Sequence, residues 1–251
     1  MRKIILSFDD GGEDFYRVVY PTLKKYNLTG VANIISQYIK PEAECEEGHR
    51  YMSAENLVEL QQNGIEIACH GHSHRNTVED IEKNLEDFAK MGLNLENMGF
   101  ASPGSDITEE NVHKLDSLIK DKTISYIRSA YIPDRHGKFM GFLNQFMEKT
   151  RSVLLFYLMN KRNFIKNFDY PLFLSVVVTS YTSIKQMKYL LKKMPDNSSV
   201  IIMFHHVFKK GDAGYGKGIW HWDADRFEWL CDFISKRDDF SCVPNVDLVN
   251  N

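Results

Sequence analysis

Three short clusters of side chains in this 251-residue sequence are able to do chemistry. The first is Asp9-Asp10, followed at once by Gly11-Gly12. Adjacent carboxylates are electrostatically awkward unless a cation or hydrogen-bond donors balance them. The plain alternative is a solvated turn, because Asp and Gly are common turn formers. The second cluster is His70-Gly71-His72-Ser73-His74. Imidazole is the commonest neutral ligand for zinc and related ions. Two histidines with three residues between them can meet one ion from a helical turn or a tight loop, and spacing alone does not say which two. Surface or core histidines are the alternative, but three in five residues is unusual composition. The third cluster is His205-His206, at the exit of a wholly apolar run. A lone histidine there would more often be structural; a pair, set beside two other polar strand ends, raises the case for function.

Each cluster follows a segment that reads as a buried strand. Residues 3–8, 65–69 and 199–204 are those strands, and the last is the most apolar of all. Further strands are expected at 30–35, 98–102, 123–130, 171–179 and 240–243. Helical spacing covers 13–26, 53–62 with Ser53 as N-cap, 77–91, a helix capped by Thr108, 182–194, and 223–235 with Asp223 as N-cap. Strand and helix alternate along the whole length, which argues for a parallel sheet with helices outside. Seven or eight units suggest closure, so the expected fold is α/β, a distorted (β/α) barrel of about seven strands. In such a barrel the C-terminal strand ends carry the active site, and that is where the three clusters stand. One domain over residues 1–251 is expected. The rhythm breaks only near 133–169, which is read as a helical insertion. A lid or a membrane-surface helix would also suit this stretch, but a crossover packed on the barrel is preferred, since amphipathic helices usually cover cores.

With the motifs in place, a resemblance becomes specific. Ser7-Phe8-Asp9-Asp10-Gly11 resembles the first motif of the polysaccharide deacetylases, carbohydrate esterase family 4. His70 to His74 resembles the second motif, and Val200 to His206 the last. Order, spacing and strand-end placement agree over nearly the entire chain. The resemblance implies Asp10, His70 and His74 as metal ligands, Asp9 as general base and His205 as general acid. It implies one divalent ion, with zinc the first expectation and cobalt, nickel, manganese or iron as alternatives. The reaction implied is removal of N-acetyl groups from an amino-sugar glycan or its precursor by metal-activated water. Pro103, Gly104, His206 and Trp220 are the expected substrate or oxyanion contacts.

The pattern also departs from the family. Its third motif usually runs Arg, any, Pro, aromatic, Gly, whereas here the run is Ala101-Ser102-Pro103-Gly104-Ser105, so the arginine that steadies the base is expected to be missing. The stretch Ser175 to Tyr181 lacks the acid that normally supports the catalytic histidine. Asp106 and Asp134 are the candidates to replace it. His72 occupies a free position and is read as packing or as a neighbour of the ligands. These departures keep two other functions in view: the same site acting on an O-acetyl ester or a non-sugar amide, and a non-catalytic barrel that binds a glycan.

Composition narrows the partners. Apolar residues make up 43% and charged residues 26%, ordinary for a globular protein, and the net charge is −3. That balance gives no reason to expect nucleic acid or an anionic membrane as the main partner; peripheral membrane contact is confined to the possibility raised by 139–168. The four cysteines form no C-x-x-C pair and are compatible with a reducing compartment. No apolar run is long enough to span a bilayer. The apolar run after Met1-Arg2-Lys3 is too short for a signal peptide, so a cytoplasmic location is expected.

Overall fold

The computed structural model describes residues 1–45, 50–166 and 172–249. Its strands are β1 (Arg2–Phe8), β2 (Val31–Ile34), β3 (Glu66–Cys69), β4 (Gly99–Ala101), β5 (Tyr126–Ala130), β6 (Leu172–Val177), β7 (Ser199–Phe204), β8 (His206–Phe208), β9 (His221–Asp223) and β10 (Phe240–Cys242). The α-helices are α1 (Tyr20–Lys25), α2 (Ala54–Gln62), α3 (Val78–Lys90), α4 (Asp116–Lys120), α5 (Lys138–Thr150), α6 (Val153–Asn160), α7 (Ile184–Lys192) and α8 (Ala224–Ser235). Strands β1 to β7 are all parallel, and β7 pairs back onto β1 to close a seven-stranded barrel. The closure is uneven. The start of β1 pairs with β10, and only its last residues, Ser7 and Phe8, pair with β2.

Alternation along the strands sorts the side chains into two environments. Ile4, Leu6 and Phe8 join the large cluster between barrel and helices. Ile5 faces inward and meets Val31, Ala68, Tyr126, Phe173 and Ile201, which plug the barrel interior. Two residues further along each strand the inward positions turn polar: Ser7, Asn33, His70, Arg128 and Ser175, all buried, with Met203 among them. One step beyond Ser7 and Met203 come Asp9 and His205. An apolar floor thus supports a polar layer, and the site residues stand at its mouth.

The helices form for local reasons. α2 begins with a capping box in which Ser53 and Asn56 satisfy each other's backbone N–H groups. Thr77 caps α3 by accepting from the N–H of Asp80. The expected helix over 13–26 is less regular. Residues Phe15–Val19 wind as a π-helix before α1 starts. Pro21 lacks the N–H that an unbroken α-helix would need there, so the winding adjusts around it. Thr108 does not cap a helix as expected. Its N–H donates to Asn111, and α4 starts only at Asp116 after the 3-10 turn Val112–Leu115. Asp223 precedes α8 as expected but makes no side-chain cap; it pairs with Arg226 instead. The short β8–β9 sheet was not visible in the sequence pattern.

The β5–β6 connection holds the 3-10 turn Pro133–His136, then α5 and α6, which are separated by Arg151 in the left-handed region. Met147, Phe156 and Met159 pack inward, whereas Phe139, Phe142, Phe146, Leu154 and Leu158 are exposed. Residues 167–169 of the expected insertion, and Pro171 of the expected sixth strand, lie outside the described residues. Among the described residues, no helix is long and apolar enough to cross a membrane.

Candidate active site

Asp9 and Asp10 leave β1 in different directions because the backbone turns between them. Asp10 has φ +75° and Gly11 φ +77°, so both lie in the left-handed region. Such a conformation is costly for a residue with a side chain and persists where its surroundings fix it. Asp9 points inward and is almost fully buried. Its Oδ1 accepts from Asn33 Nδ2 at 2.9 Å and is ion-paired with the guanidinium of Arg128. Arg128 has no solvent exposure and also donates to the Met203 sulfur at 2.8 Å.

This corrects the expectation that the steadying arginine is missing. The third motif places Ala101 on β4 where an arginine is usual. Arg128 lies on β5 in direct register with Ala101. Adjacent barrel strands present neighbouring inward positions to the same interior, so the charge reaches Asp9 from the next strand. The signal available in the sequence was a charged residue in the middle of a strand, a type rarely buried without a partner.

His70 and His74 flank Asp10. The Nε2 of His70 is 3.5 Å from Asp10 Oδ1, and that of His74 is 3.8 Å from the same oxygen. All three ligand atoms fall within 4.8 Å of one another. Two donors bound at zinc-like distances to a common tetrahedral ion would be roughly 3.3 Å apart. The observed spacing is close to that and long for a direct hydrogen bond. The tautomer of His70 also suits a ligand. Its Nδ1 lies 2.8 Å from the carbonyl oxygen of Ala101, which can only accept, so Nδ1 carries the proton and Nε2 keeps its lone pair. By donor set, spacing and tautomer, the residues fit a divalent cation.

Asp10 is held well below the usual carboxylate range. Burial pushes its pKa up, but the neighbouring imidazoles of His70, His205 and His74 outweigh that. His74 is lowered, first by burial and then by His70. Both shifts keep the ligand forms, carboxylate and neutral imidazole, populated at neutral pH.

The histidine loop is held by residues that sequence reasoning overlooked. Asp80 of α3 accepts from the backbone of Ser73 and Arg75 and from the Ser73 hydroxyl. Asn84 accepts from the N–H of His70. Gly71 has φ +78°, and a Cβ there would meet Asp80 Oδ2 at 2.5 Å. His72 turns away from the site: its Nδ1 lies 2.7 Å from Asp87 and 3.2 Å from Ser36. His72 is therefore the loop histidine that does not converge on Asp10.

His205 follows β7 and is lowered by its burial, with Asp9 and Asp10 opposing the shift. Its Nδ1 is buried with no hydrogen-bond partner among the described residues. Neither expected replacement acid supports it. Asp106 pairs with Arg135 at 2.6 Å, and Asp134 lines a 340 Å³ cavity between α5, α6 and the end of β6. Trp220 borders the same cavity, and its ring centroid lies 4.6 Å from that of His205. Gly104 sits in the turn Pro103–Ser105 with φ +61°. His206 is directed elsewhere. Its Nδ1 is 2.9 Å from Asp14, whose other oxygen accepts from the N–H of Val207, and it lines a separate cavity of 490 Å³.

A parallel barrel with carboxylates and imidazoles converging at the C-terminal strand ends has the layout of a barrel active site. The family model for polysaccharide deacetylases matches residues 1–128, and the chain belongs to that family. The match includes Asp9, Asp10, the histidine loop and Arg128; it ends before His205. The curated protein YxkH of Bacillus subtilis (strain 168), assigned to the polysaccharide deacetylases, is 33% identical over 72 residues. That alignment spans 28% of this chain and 23% of YxkH. Among solved structures, a family 4 acetyl xylan esterase from Clostridium thermocellum, in complex with a cobalt ion, superposes with a TM-score of 0.52 at 11% identity. That superposition covers 99% of this chain and 90% of the esterase. The peptidoglycan deacetylase PdaC from Bacillus subtilis gives a TM-score of 0.50 at 15% identity, over 98% of this chain and 88% of PdaC. These likenesses establish the barrel fold.

Proposed function

We propose that this chain is a metal-dependent hydrolase that removes N-acetyl groups from an amino-sugar glycan or its precursor. The observation that carries the reading is the convergence of Asp10, His70 and His74 beside a buried Asp9–Arg128 pair. In this reading Asp10, His70 and His74 hold the divalent ion, zinc or one of its first-row neighbours. When bound, such an ion supplies Lewis acidity toward water and the acetyl carbonyl.

The chain's own residues do the rest. Asp9 accepts the proton of the attacking water. Arg128 and Asn33 fix its orientation through one carboxylate oxygen, which leaves Oδ2, 3.9 Å from His70 Nε2, directed toward the ligand cluster. His205 donates a proton to the departing nitrogen, which leaves poorly as an anion. The carboxylates of Asp9 and Asp10 favour its protonated form against the effect of burial. Trp220, its ring tilted against that of His205, forms one wall for the sugar. The Pro103–Gly104 turn is the substrate-side candidate for an N–H directed at the developing oxyanion. His206, its Nδ1 occupied by Asp14, contributes at the rim.

One observation favours a second substrate. With no partner on Nδ1 among the described residues, the His205 imidazolium is less stabilised than in a supported acid–base pair. A sugar hydroxyl leaves with less help than an amine, so an O-acetyl ester places a smaller demand on this acid. Acetate release from N-acetylglucosamine oligomers and from acetylated xylan, assayed side by side, separates the two. Activity should vanish on chelation and return with added metal, and Asp9→Asn should abolish turnover. Full activity of Asp9→Asn would remove Asp9 as the base. No acetate from any substrate despite bound metal would leave a glycan-binding barrel.

A further inference from the structure

α5 turns a row of phenylalanines outward. Phe139, Phe142 and Phe146 are 71%, 64% and 50% exposed. Their spacing of three and four residues puts them on one side of the helix. Met147, on another side, packs into the protein. Leu154 and Leu158 of α6, one turn apart, are exposed as well. Large apolar side chains gathered on one surface element mark an interaction site more often than a bare surface.

The charge around them is distinctive. Residues 133–166 contain seven Lys and Arg against two acids, a local balance of +5 in a chain whose balance is −3. All seven basic residues, Arg135, Lys138, Lys149, Arg151, Lys161, Arg162 and Lys166, are exposed. Lys138 and Lys149 fall four and seven residues from Phe142, on the flank of the aromatic row.

We infer that the α5–α6 face docks onto a bilayer surface carrying anionic lipid. Exposed aromatics bordered by Lys and Arg are the composition of a helix that lies in the headgroup region. A second copy of this chain would bring two segments of +5 against each other, which like-charge repulsion opposes. A polyanionic glycan would account for the basic residues but not for three phenylalanines on a convex helix face. The geometry gives the contact a consequence. The cavity between α5, α6 and Trp220 opens beside His205, so docking through these helices would hold that side of the barrel mouth near the membrane. The inference does not depend on which acetylated compound is hydrolysed.

The test is co-sedimentation of the full chain with vesicles of phosphatidylcholine alone and of equal parts phosphatidylcholine and phosphatidylglycerol. Binding should be at least about tenfold stronger to the anionic vesicles and should weaken as salt is raised. A Phe139→Ser/Phe142→Ser/Phe146→Ser variant and a Lys138→Glu/Lys149→Glu variant should each lose about tenfold or more. Because these side chains are exposed, both should keep the parent melting temperature and its activity on a soluble substrate. The inference is overturned if the parent binds neither vesicle, if it binds both equally, or if both variants bind like the parent. It is also overturned if sedimentation shows a dimer that the phenylalanine variant dissolves.

Discussion

Replacing Arg128 with Met tests whether the guanidinium on β5 holds Asp9. Met is unbranched and adaptable, so it fills much of the space without the charge. Arg128 has no solvent exposure and Asp9 is almost fully buried. Removing one partner of a buried ion pair leaves the other uncompensated, at a cost of about 3–5 kcal/mol. Asn33 would still donate to Asp9, which places the expected loss toward the lower end. With a urea m-value near 3 kcal/mol/M, the unfolding midpoint should fall by about 1–1.5 M. Asp9→Asn and the double variant complete a cycle. If the two groups act on each other, the double variant should be more stable than the sum of the single losses predicts, by at least about 2 kcal/mol. The reasoning is refuted if Arg128→Met lies within about 1 kcal/mol of the parent, or if the two losses are additive.

Three further outcomes follow from the geometry. Zinc or cobalt in large excess over its dissociation constant should stabilise the fold by about 4 kcal/mol, roughly 8–16 °C in melting temperature for a chain of this length. His74→Ala, at a half-exposed position, should abolish that gain with little effect on the metal-free melting temperature; a retained gain would exclude His74 as a ligand. Gly71→Ala should destabilise by about 2 kcal/mol or more and weaken metal binding, because its Cβ meets Asp80 at 2.5 Å at a positive φ; a neutral effect in urea unfolding would contradict that packing. The Glu66 carboxyl, bonded to Tyr126 at the opposite end of the barrel from the site, is pushed by burial up to about 7. Its folded form binds a proton that the unfolded chain releases near the ordinary value, so stability should fall as pH rises from about 4.5 to about 7, by up to about 3 kcal/mol. Glu66→Gln should flatten that slope, and an unchanged slope would assign it to other groups.

How much of this was legible in the sequence depended on where each signal lay. Strand-end placement of Asp9-Asp10, His70 to His74 and His205 could be read directly, because apolar strands and polar exits adjoin in sequence. The boundaries of β7 and α2 followed from an apolar run and a capping serine. The choice of ligand pair could not be read from spacing. His72 and His74 differ because His74 takes a left-handed backbone while His72 is drawn to Asp87 on α3. Asp80, Asn84 and Asn33 were invisible for a similar reason. Each acts on a loop or strand outside its own element, and none is unusual in its own segment. The β8–β9 pair is three residues long on each side and depends on the loop between them, so it carries no periodic signal.

The arginine shows why a motif read along one strand can report a loss that the fold has made good. In a closed barrel the interior is shared, and a side chain's target depends on its height and inward direction rather than on which strand carries it. Ala101 and Arg128 stand in register on adjacent strands. A small residue on β4 leaves room for the guanidinium from β5 to reach Asp9 between them. The same geometry gives a different answer for His205. Among the described residues no acid reaches its Nδ1, and Asp106 and Asp134 are engaged or placed elsewhere. The proposed base is therefore held by a charge and a hydrogen bond, while the proposed acid packs against Trp220 and has no hydrogen-bond partner on Nδ1 among the described residues. Such an asymmetry favours substrates whose leaving group asks little of the acid. For that reason the comparison of ester with amide substrates weighs more than the identity of the metal in testing the proposed reaction.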